Sequence, residues 1–359
     1  MTLLRQIRDA SPLALVFAAL SATPSTLTAQ DVAVPVIQSL PAQTDSETGF
    51  AAYLQLVAAR ARAEGVSQRS IDIMLAGLTY NPRVVALDRA QPGSTPGAPP
   101  AFWSYYRKHI DGARVRAGQA AWAETGEIAA RVEREYGVPA KMLYAIWGHE
   151  SYYGRIKGDF DLARSLASLA YEGRRRELFE GEFIALMKMA DRGVPRSRMI
   201  GSWAGAFGNP QFLPSVWLRV ARDGDGDGDA DIWNSKADTL ASIANYFKDA
   251  GWRAGEPWGV RASVPQGFDR SMLTARLDAP SCPKVHVRHS VWKPVSEWRA
   301  LGITPNGAIA DSTMAVLFEP DGPGNGSFLL TGNYRVILQY NCSNYYALTV
   351  GLFADEIAR

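Results

Sequence analysis

The stretch Gly137-Val138-Pro139-Ala140-Lys141-Met142-Leu143-Tyr144-Ala145-Ile146-Trp147-Gly148-His149-Glu150-Ser151-Tyr152-Tyr153-Gly154 decides how the rest of the chain is read. Gly137 suits the end of one helix, and Pro139 suits the first turn of the next. Leu143, Ile146, Trp147 and Glu150 then recur at helical spacing, which predicts a carboxylate on the buried apolar stripe near the helix C-terminus. The helix dipole is negative there and gives a carboxylate no help. Burial makes the charged form costly, so the position predicts a raised pKa and a proton retained near neutral pH. A protonated Glu beside a cleft can serve a glycosidic oxygen as general acid. Spacing alone also allows a Glu that simply turns into water. The aromatic neighbours Trp147, Tyr152 and Tyr153 favour the cleft, because sugar rings stack on aromatic faces. His149 falls off the stripe and reads as structural or as flanking the substrate.

The bulk properties set the frame. A chain of 359 residues, 47% hydrophobic and 21% charged, has ordinary globular composition and room for a sizeable core. A net charge of +2 gives no reason to propose nucleic-acid binding. Arg5 and Arg8 precede the apolar run Pro12-Leu-Ala-Leu-Val-Phe-Ala-Ala-Leu20, and small residues follow up to Ala29. This is signal-peptide anatomy, residues 1–29, with a run too short to span a membrane. No Cys stands near the cleavage region, so no lipid anchor is expected. The mature protein is expected to be exported, periplasmic and soluble, with no transmembrane segment. Cys282 and Cys342 are the two cysteines, and in an exported protein an even count suggests a disulfide; two buried free thiols are the alternative. The four histidines show no zinc-site spacing.

The texture of the chain changes along its length. Residues 30–136 read as a loose leader and then a helical region in which Phe50, Tyr53, Leu54, Val57 and Ala58 keep helical spacing. Residues 91–100 form a Pro/Gly loop that cannot be helix. Residues 137–255 alternate short helices with Gly-rich loops. Residues 256–340 read as a small β-rich subdomain, with Lys284–Arg288 and Tyr334–Tyr340 as β-leaning runs. Residues 341–359 read as a C-terminal helix packing back on the core.

Three further motifs carry chemistry. In Gly201-Ser-Trp-Ala-Gly-Ala-Phe-Gly-Asn-Pro-Gln-Phe-Leu-Pro-Ser215, glycines allow close backbone approach to a ligand, while Ser202 and Gln211 offer hydrogen bonds. In Asp223-Gly-Asp225-Gly-Asp227-Gly228-Asp229-Ala-Asp231-Ile-Trp-Asn234, carboxylates alternate as in an EF-hand loop, with Gly228 at the sharp sixth position. Asn234 stands where a Glu is expected, and Asp238 can close an elongated loop instead. A probable-ligand set for structural calcium is thus Asp223, Asp225, Asp227, Asp229, Asp231 and Asp238; a solvated acidic turn is the alternative. The third motif runs from Asp238 to Trp252. Its Leu240, Ile243, Ala244 and Phe247 bury one face and leave Tyr246 free to meet a groove or to pack.

Together these ordered motifs, with the late run Tyr340-Asn-Cys-Ser343-Asn-Tyr-Tyr346, resemble the membrane-bound lytic transglycosylase B family, glycoside hydrolase family 103, over about residues 46–359. The resemblance implies an α-dominated α+β fold with a goose-lysozyme-like core, a flanking helical region and a small β-rich subdomain. It implies non-hydrolytic cleavage of the β-1,4 bond between N-acetylmuramic acid and N-acetylglucosamine in peptidoglycan glycan strands, with no catalytic cofactor. By family matching, Glu150 is the sole acid and base. Ser202, Gln211, Tyr246, Tyr340, Asn341 and Tyr346 match groove residues, as does Tyr105, although Tyr106 is an equally good register. Asn209-Pro210 before Gln211 departs from the family, which commonly has a flexible residue there; Pro210 stiffens the loop and removes a donor.

A single carboxylate fits that chemistry, whereas ordinary glycosidases use a pair. Two rival readings remain at this level: a hydrolytic muramidase on the same scaffold, and a non-enzymatic calcium-dependent cell-wall-binding protein.

Overall fold

The computed structural model describes residues 43–91, 101–273 and 282–359. The expected signal peptide, the leader and most of the Pro/Gly loop lie outside the described residues. Helices dominate, and a five-stranded antiparallel sheet packs one face against them through Val316, Phe318, Phe328 and Leu330, an α-dominated α+β architecture in which Phe160–Asp161 and Ile200–Gly201 form a separate two-stranded ladder.

The centre of the molecule is α6 (Ala140–Ser151). It is preceded by α5 (Gly112–Tyr136), which ends on Gly137 in the left-handed conformation at φ 70°. Glu133 of α5 then reaches forward, and its Oε2 accepts the Ala140 amide at 2.9 Å, satisfying one orphan donor of the α6 N-terminus. The expected one-sided stripe is an understatement. Met142 through Gly148 are all buried, because α5, α10 (Lys236–Asp249) and α14 (Asn344–Ile357) pack around α6 from several sides. A helix apolar all round is a core helix.

Close approach around α6 depends on missing side chains. A Cβ at Gly148 would lie 2.4 Å from the Tyr153 hydroxyl oxygen and 2.9 Å from Phe353, and one at Gly118 of α5 would lie 2.2 Å from the same hydroxyl. The two glycines therefore form the slot into which the ring of Tyr153 folds back.

A second helical layer supports this one. Helices α7 (Leu162–Glu172) and α8 (Arg176–Asp191) pair closely, and α9 (Pro214–Val220) packs on α8. The buried Glu182 of α8 accepts the Ser215 hydroxyl at 2.6 Å and its amide at 2.9 Å, which pins the start of α9. The N-terminal helices α1 (Gln43–Ala63), α2 (Gln68–Leu75) and α3 (Pro82–Arg89) rest on α7 and α8. Phe50, Tyr53, Leu54, Val57 and Ala58 form the buried face of α1. The buried Asp88 carboxylate of α3 is paired with Arg174 and Arg175. Helix α4 (Phe102–His109) packs on α14.

The sheet has strand order β2-β4-β5-β1-β3, from β1 (Gly259–Ser263), β2 (Lys293–Pro294), β3 (Thr304–Pro305), β4 (Met314–Phe318) and β5 (Ser327–Leu330), all neighbours antiparallel, and the short helix α12 (Val295–Ala300) follows β2. It has its own core around Trp298, Val295, Ile303, Leu317 and Leu329. Both runs read from sequence as β-leaning are helical instead: Lys284–His286 lie in α11 (Pro283–His286), and Tyr334–Tyr340 lie in α13 (Gly332–Tyr340). The reason is local. Thr331 caps α13 by accepting the Asn333 amide, and Tyr334, Val336, Ile337 and Leu338 bury a helical face on α14. Tertiary burial overrides the β preference of Tyr, Val and Ile there.

Cys282 and Cys342 form a disulfide with Cα atoms 5.4 Å apart, across a separation of 60 residues. It ties the residue before α11 to the residue after the cap of α13. Loop-closure entropy for such a span is worth about 4 kcal/mol. We therefore expect denatured, unreduced protein to titrate no free thiol, and the double Ser variant to lose about that much unfolding free energy, read as a lower urea midpoint at unchanged m-value; a midpoint unchanged from wild type would remove the disulfide from the stability of the fold.

Candidate active site

Glu150 stands in the last turn of α6, partly exposed at the floor of a cleft. The helix ends abruptly. Tyr152 and Tyr153 both adopt left-handed backbone, φ 50° and 57°, before Gly154 at φ 83°. Two such residues in a row cost on the order of 1 kcal/mol each. The Gly154 amide donates to Ser151 Oγ at 3.0 Å, and the Ile156 amide donates to the Ser151 carbonyl at 2.9 Å. Arg114 of α5 caps the end by donating to the Gly148 carbonyl at 2.9 Å. Its guanidinium also lies 4.7 Å from the Tyr152 ring centre. These contacts hold the turn.

Burial pushes the Glu150 carboxyl up to about 7. One hydrogen bond opposes the shift: Tyr346 of α14 donates its hydroxyl to Glu150 Oε1 at 2.5 Å. The neighbouring His149 is driven down to about 3, chiefly by burial and then by His109 and Arg114. It is neutral near pH 7, so no imidazolium stands beside Glu150 to draw its proton off. Glu150 is the one carboxylate among the described residues lining this cleft.

The other sequence-derived residues converge from distant segments. Tyr105 of α4 lines the same cleft, stacked on His109 at 3.9 Å, with its hydroxyl raised by burial to about 12. Tyr106 is buried against Phe102 and Trp103 instead. Tyr340 stacks near Tyr346 at 6.4 Å and meets Tyr246 at 4.6 Å. Tyr246 donates its hydroxyl to the Gln339 carbonyl at 2.7 Å, and Tyr340 donates to the Pro210 carbonyl at 2.5 Å. Pro210, which has no N–H to give, thus uses its carbonyl to fasten α13 to the Gly-rich loop.

That loop abuts the turn after Glu150. A Cβ at Gly158 would lie 2.2 Å from the Gly201 carbonyl oxygen. Ser202 closes the loop on itself: its amide donates to Ala206 at 2.7 Å, and its Oγ accepts the Ala206 amide at 3.0 Å. Gln211 sits at φ 52°, and its Nε2 donates to the Gly208 carbonyl at 2.8 Å. Its Oε1 is buried with no hydrogen-bond partner among the described residues, as is Oδ1 of Asn341.

The Asp-rich loop lies beneath. One carboxylate oxygen from each of Asp223, Asp225 and Asp227 lies within 4.8 Å of the others. Asp223 is held by the Gly226 and Gly228 amides at 2.6 and 2.8 Å, and Asp225 accepts the Ser235 hydroxyl at 2.8 Å. Asp229 pairs with Arg198 at 2.6 Å, and Asp231 caps the following turn through the Trp233 amide. Asp238 is fully buried and accepts the Gly224 and Asp231 amides at 2.8 and 2.7 Å, so it braces both arms of the loop from α10. Asn234 donates to Asp231. Trp233 stacks flat on Phe207 at 4.9 Å, and the Asn209 amide donates to Ile232 at 2.8 Å, which couples this loop to the Gly-rich one.

Sequence reading missed Arg114, His109 and Ile156 as cleft residues. Arg114 lies 36 positions before Glu150 on another helix, and no local pattern marks it.

Glu150 lends itself to a stability test. Its pKa rises from 4.5 to about 7 on folding. The stability carried by its neutral form is complete below the unfolded value and is lost as pH rises through 7. Glu150→Gln cannot ionise. We expect its melting temperature to match wild type near pH 4 and to exceed it near pH 8 by roughly 2–4 °C; an equal offset at both pH values would mean that the carboxyl is not desolvated.

Comparison with known proteins agrees with this geometry. Residues 49–355 match the transglycosylase SLT domain family. Membrane-bound lytic murein transglycosylase B of Escherichia coli K12 is 31% identical over 268 residues, covering 73% of this chain and 69% of that protein. The structure of SltB3 from Pseudomonas aeruginosa in complex with NAG-anhNAM-pentapeptide superposes with a TM-score of 0.76 at 40% identity, covering 86% of this chain and 79% of that one. An Escherichia coli lytic transglycosylase solved in complex with calcium gives a TM-score of 0.68 at 26% identity, covering 88% of this chain and 94% of that one. The helical core around α6 is therefore lysozyme-like, and the chain belongs to the transglycosylase SLT domain family as a lytic transglycosylase.

Proposed function

We propose that this enzyme cleaves the β-1,4 bond between N-acetylmuramic acid and N-acetylglucosamine in peptidoglycan, with Glu150 serving first as acid and then as base. The observation that carries this reading is a lone carboxyl, pushed up to about 7 by burial, in a cleft with no second carboxylate among its described lining residues. In this reading Glu150 gives its proton to the glycosidic oxygen as the C1–O bond breaks. Positive charge develops at the anomeric carbon and is steadied by the substrate's own N-acetyl group. The carboxylate of Glu150, held by the Tyr346 hydroxyl, then takes the proton of the muramic C6 hydroxyl. The C6 oxygen bonds to C1 and closes a 1,6-anhydro ring, so no water is consumed. Binding of NAG-anhNAM-pentapeptide by SltB3 supports an anhydro product.

Ser202, Gln211, Tyr246, Tyr340, Asn341, Tyr346 and Tyr105 are assigned to the groove in the same reading. Peptidoglycan as substrate and the expected signal peptide at 1–29, with no Cys near its cleavage region, together favour an exported, periplasmic enzyme. Among the described residues no helix is long and apolar enough to cross a membrane.

The test is Glu150→Gln on purified sacculi. General acid–base help is worth roughly 100- to 10,000-fold, and here one residue performs both transfers, so loss at the upper end is expected. The wild-type rate should fall as pH rises above about 7, where the acid form is lost. A folded Gln variant that still releases anhydro-muropeptides at near wild-type rate would remove Glu150 from catalysis. Products heavier by one water would replace transglycosylation with hydrolysis.

The clustered oxygens of Asp223, Asp225 and Asp227 fit a hard cation such as calcium, which takes oxygen ligands only. These three carboxylates would hold it, and Asp238 would set the loop ends. Its contribution would be structural, because the loop supports Phe207 and Asn209 through Trp233 and Ile232. We expect millimolar calcium to raise the melting temperature against a chelator control, and Asp225→Asn to abolish that rise; a melting curve indifferent to calcium overturns the site.

A further inference from the structure

The cleft that holds Glu150 and Tyr105 is itself a recess of about 70 Å³ lying between the end of α6 and helices α4 and α5, enough for a few waters or one small substituent. Its wall combines Arg114, His109, His149, Tyr152 and Ile156. Arg114 is half-buried, yet it makes no ion pair with any described carboxylate. The nearest acid in sequence, Asp111, is turned to the helix start, where its Oδ1 accepts the Arg114 backbone amide at 2.8 Å. Of the five guanidinium donors, only Nη1 is engaged, on the Gly148 and His149 carbonyls at 2.9 and 3.5 Å. Capping a helix end asks no more than that. The Nε and Nη2 donors have no acceptor among the described residues.

The rest of the recess favours an anion with an apolar neighbour. Arg155 lies over the same Tyr152 ring at 5.0 Å and makes no ion pair among the described residues, which adds a second cation next to this wall residue. Burial holds His109 and His149 below the ordinary histidine pKa, so they form a neutral aromatic wall. Ile156 is 48% exposed, a large apolar side chain left open at the mouth. Desolvation already pulls the Arg114 pKa down, a cost that a bound carboxylate would offset. The guanidinium does not disturb the catalytic acid, whose shift comes from burial and is opposed by Tyr346.

We propose that this recess selects substrate by a carboxylate on a short methyl-bearing arm of the muramic residue, with Arg114 as the recognising fork and Ile156 as the apolar seat. This rests on the reading of the site given under the proposed function. Two sources carry that chemistry: the lactyl group itself where the stem peptide has been removed, and a stem peptide ending in a carboxylate. Arg suits either, because its fork can take both carboxylate oxygens at once.

The experiment compares glycan strands in three forms: with stem peptides, stripped to free lactyl carboxylates, and stripped then amidated so that the arm is neutral. Release of 1,6-anhydro ends is followed for wild type, Arg114→Gln and Arg114→Lys. For wild type we expect kcat/KM on stripped acid strands to exceed that on amidated strands by about tenfold, the worth of one charge-assisted hydrogen bond. Arg114→Gln should bring the two within about twofold, through KM rather than kcat, and Arg114→Lys should keep part of the preference. A larger preference for stem-bearing strands that Arg114→Gln abolishes assigns the carboxylate to the peptide instead of the lactyl group. Equal wild-type rates on acid and amidated strands overturn the proposal, and so does a preference that survives in Arg114→Gln. In both cases anhydro ends still form, so the transglycosylase reading stands. Should Arg114→Gln fail to fold, the wild-type comparison and Arg114→Lys decide.

Discussion

Everything at the site depends on burying the C-terminal end of α6. A helix end carries carbonyls with no partner in the helix, and here those carbonyls lie inside the protein. The chain meets the demand with a donor from another helix, Arg114, and with two tyrosines forced into left-handed backbone. That strain is tolerated because the ring of Tyr153 drops into a slot formed by Gly118 and Gly148 and packs edge-on against Trp147 at 5.6 Å. The turn is over-determined, and Glu150 is fixed one residue before it.

The same burial sets the chemistry. A carboxylate at the negative end of a helix dipole and largely withdrawn from water prefers to hold its proton. The Tyr346 hydroxyl pulls the other way, because it donates to the charged form. The balance at about 7 gives an acid that is half-ionised near neutral pH and can run a proton transfer in both directions. Neutral His149 is part of that balance. A cation in its place, against the Tyr346 ring at 4.7 Å, would favour the Glu150 carboxylate and spoil the acid.

Much of this was legible in the sequence, for particular reasons. Helix α6 could be read because Gly137 and Pro139 punctuate it and because its apolar residues repeat at helical spacing. Glu150 could be read because a carboxylate at that spacing is anomalous. The strands could not be placed. The runs at 284–288 and 334–340 are rich in Val, Ile and Tyr, but the first follows Pro283 into a short helix and the second is capped by Thr331. The cap was visible in the sequence and outweighs the composition. Asp238 could be read as closing the acidic loop from its place after Asn234, but that its two oxygens accept backbone amides on either arm could not. Arg114 and His109 had no signal at all. Their roles exist only because α4 and α5 are brought against the end of α6, a fact of tertiary packing that no local pattern encodes.

In the proposed reading the groove is assembled from segments spread over some 240 positions, from Tyr105 to Tyr346, and its hydrogen bonds prepare it for sugar. Tyr246 and Tyr340 already give their hydroxyl protons to the Gln339 and Pro210 carbonyls. In the proposed reading they offer ring faces and oxygen lone pairs, not donors. Gln211 Oε1 and Asn341 Oδ1 are buried acceptors without partners, each at a cost on the order of 1–3 kcal/mol. A sugar hydroxyl or acetamido N–H that reaches them recovers that energy, while a ligand without such donors does not. In that reading the discrimination is built into the fold as unsatisfied polar atoms, held in place by Pro210, by the left-handed backbone of Gln211 and by the cap of α13. A flexible loop would let these atoms find other partners and lose the energy before substrate arrived. The stiffness that Pro210 brings to this loop is thus a condition of selectivity and not an obstacle to it.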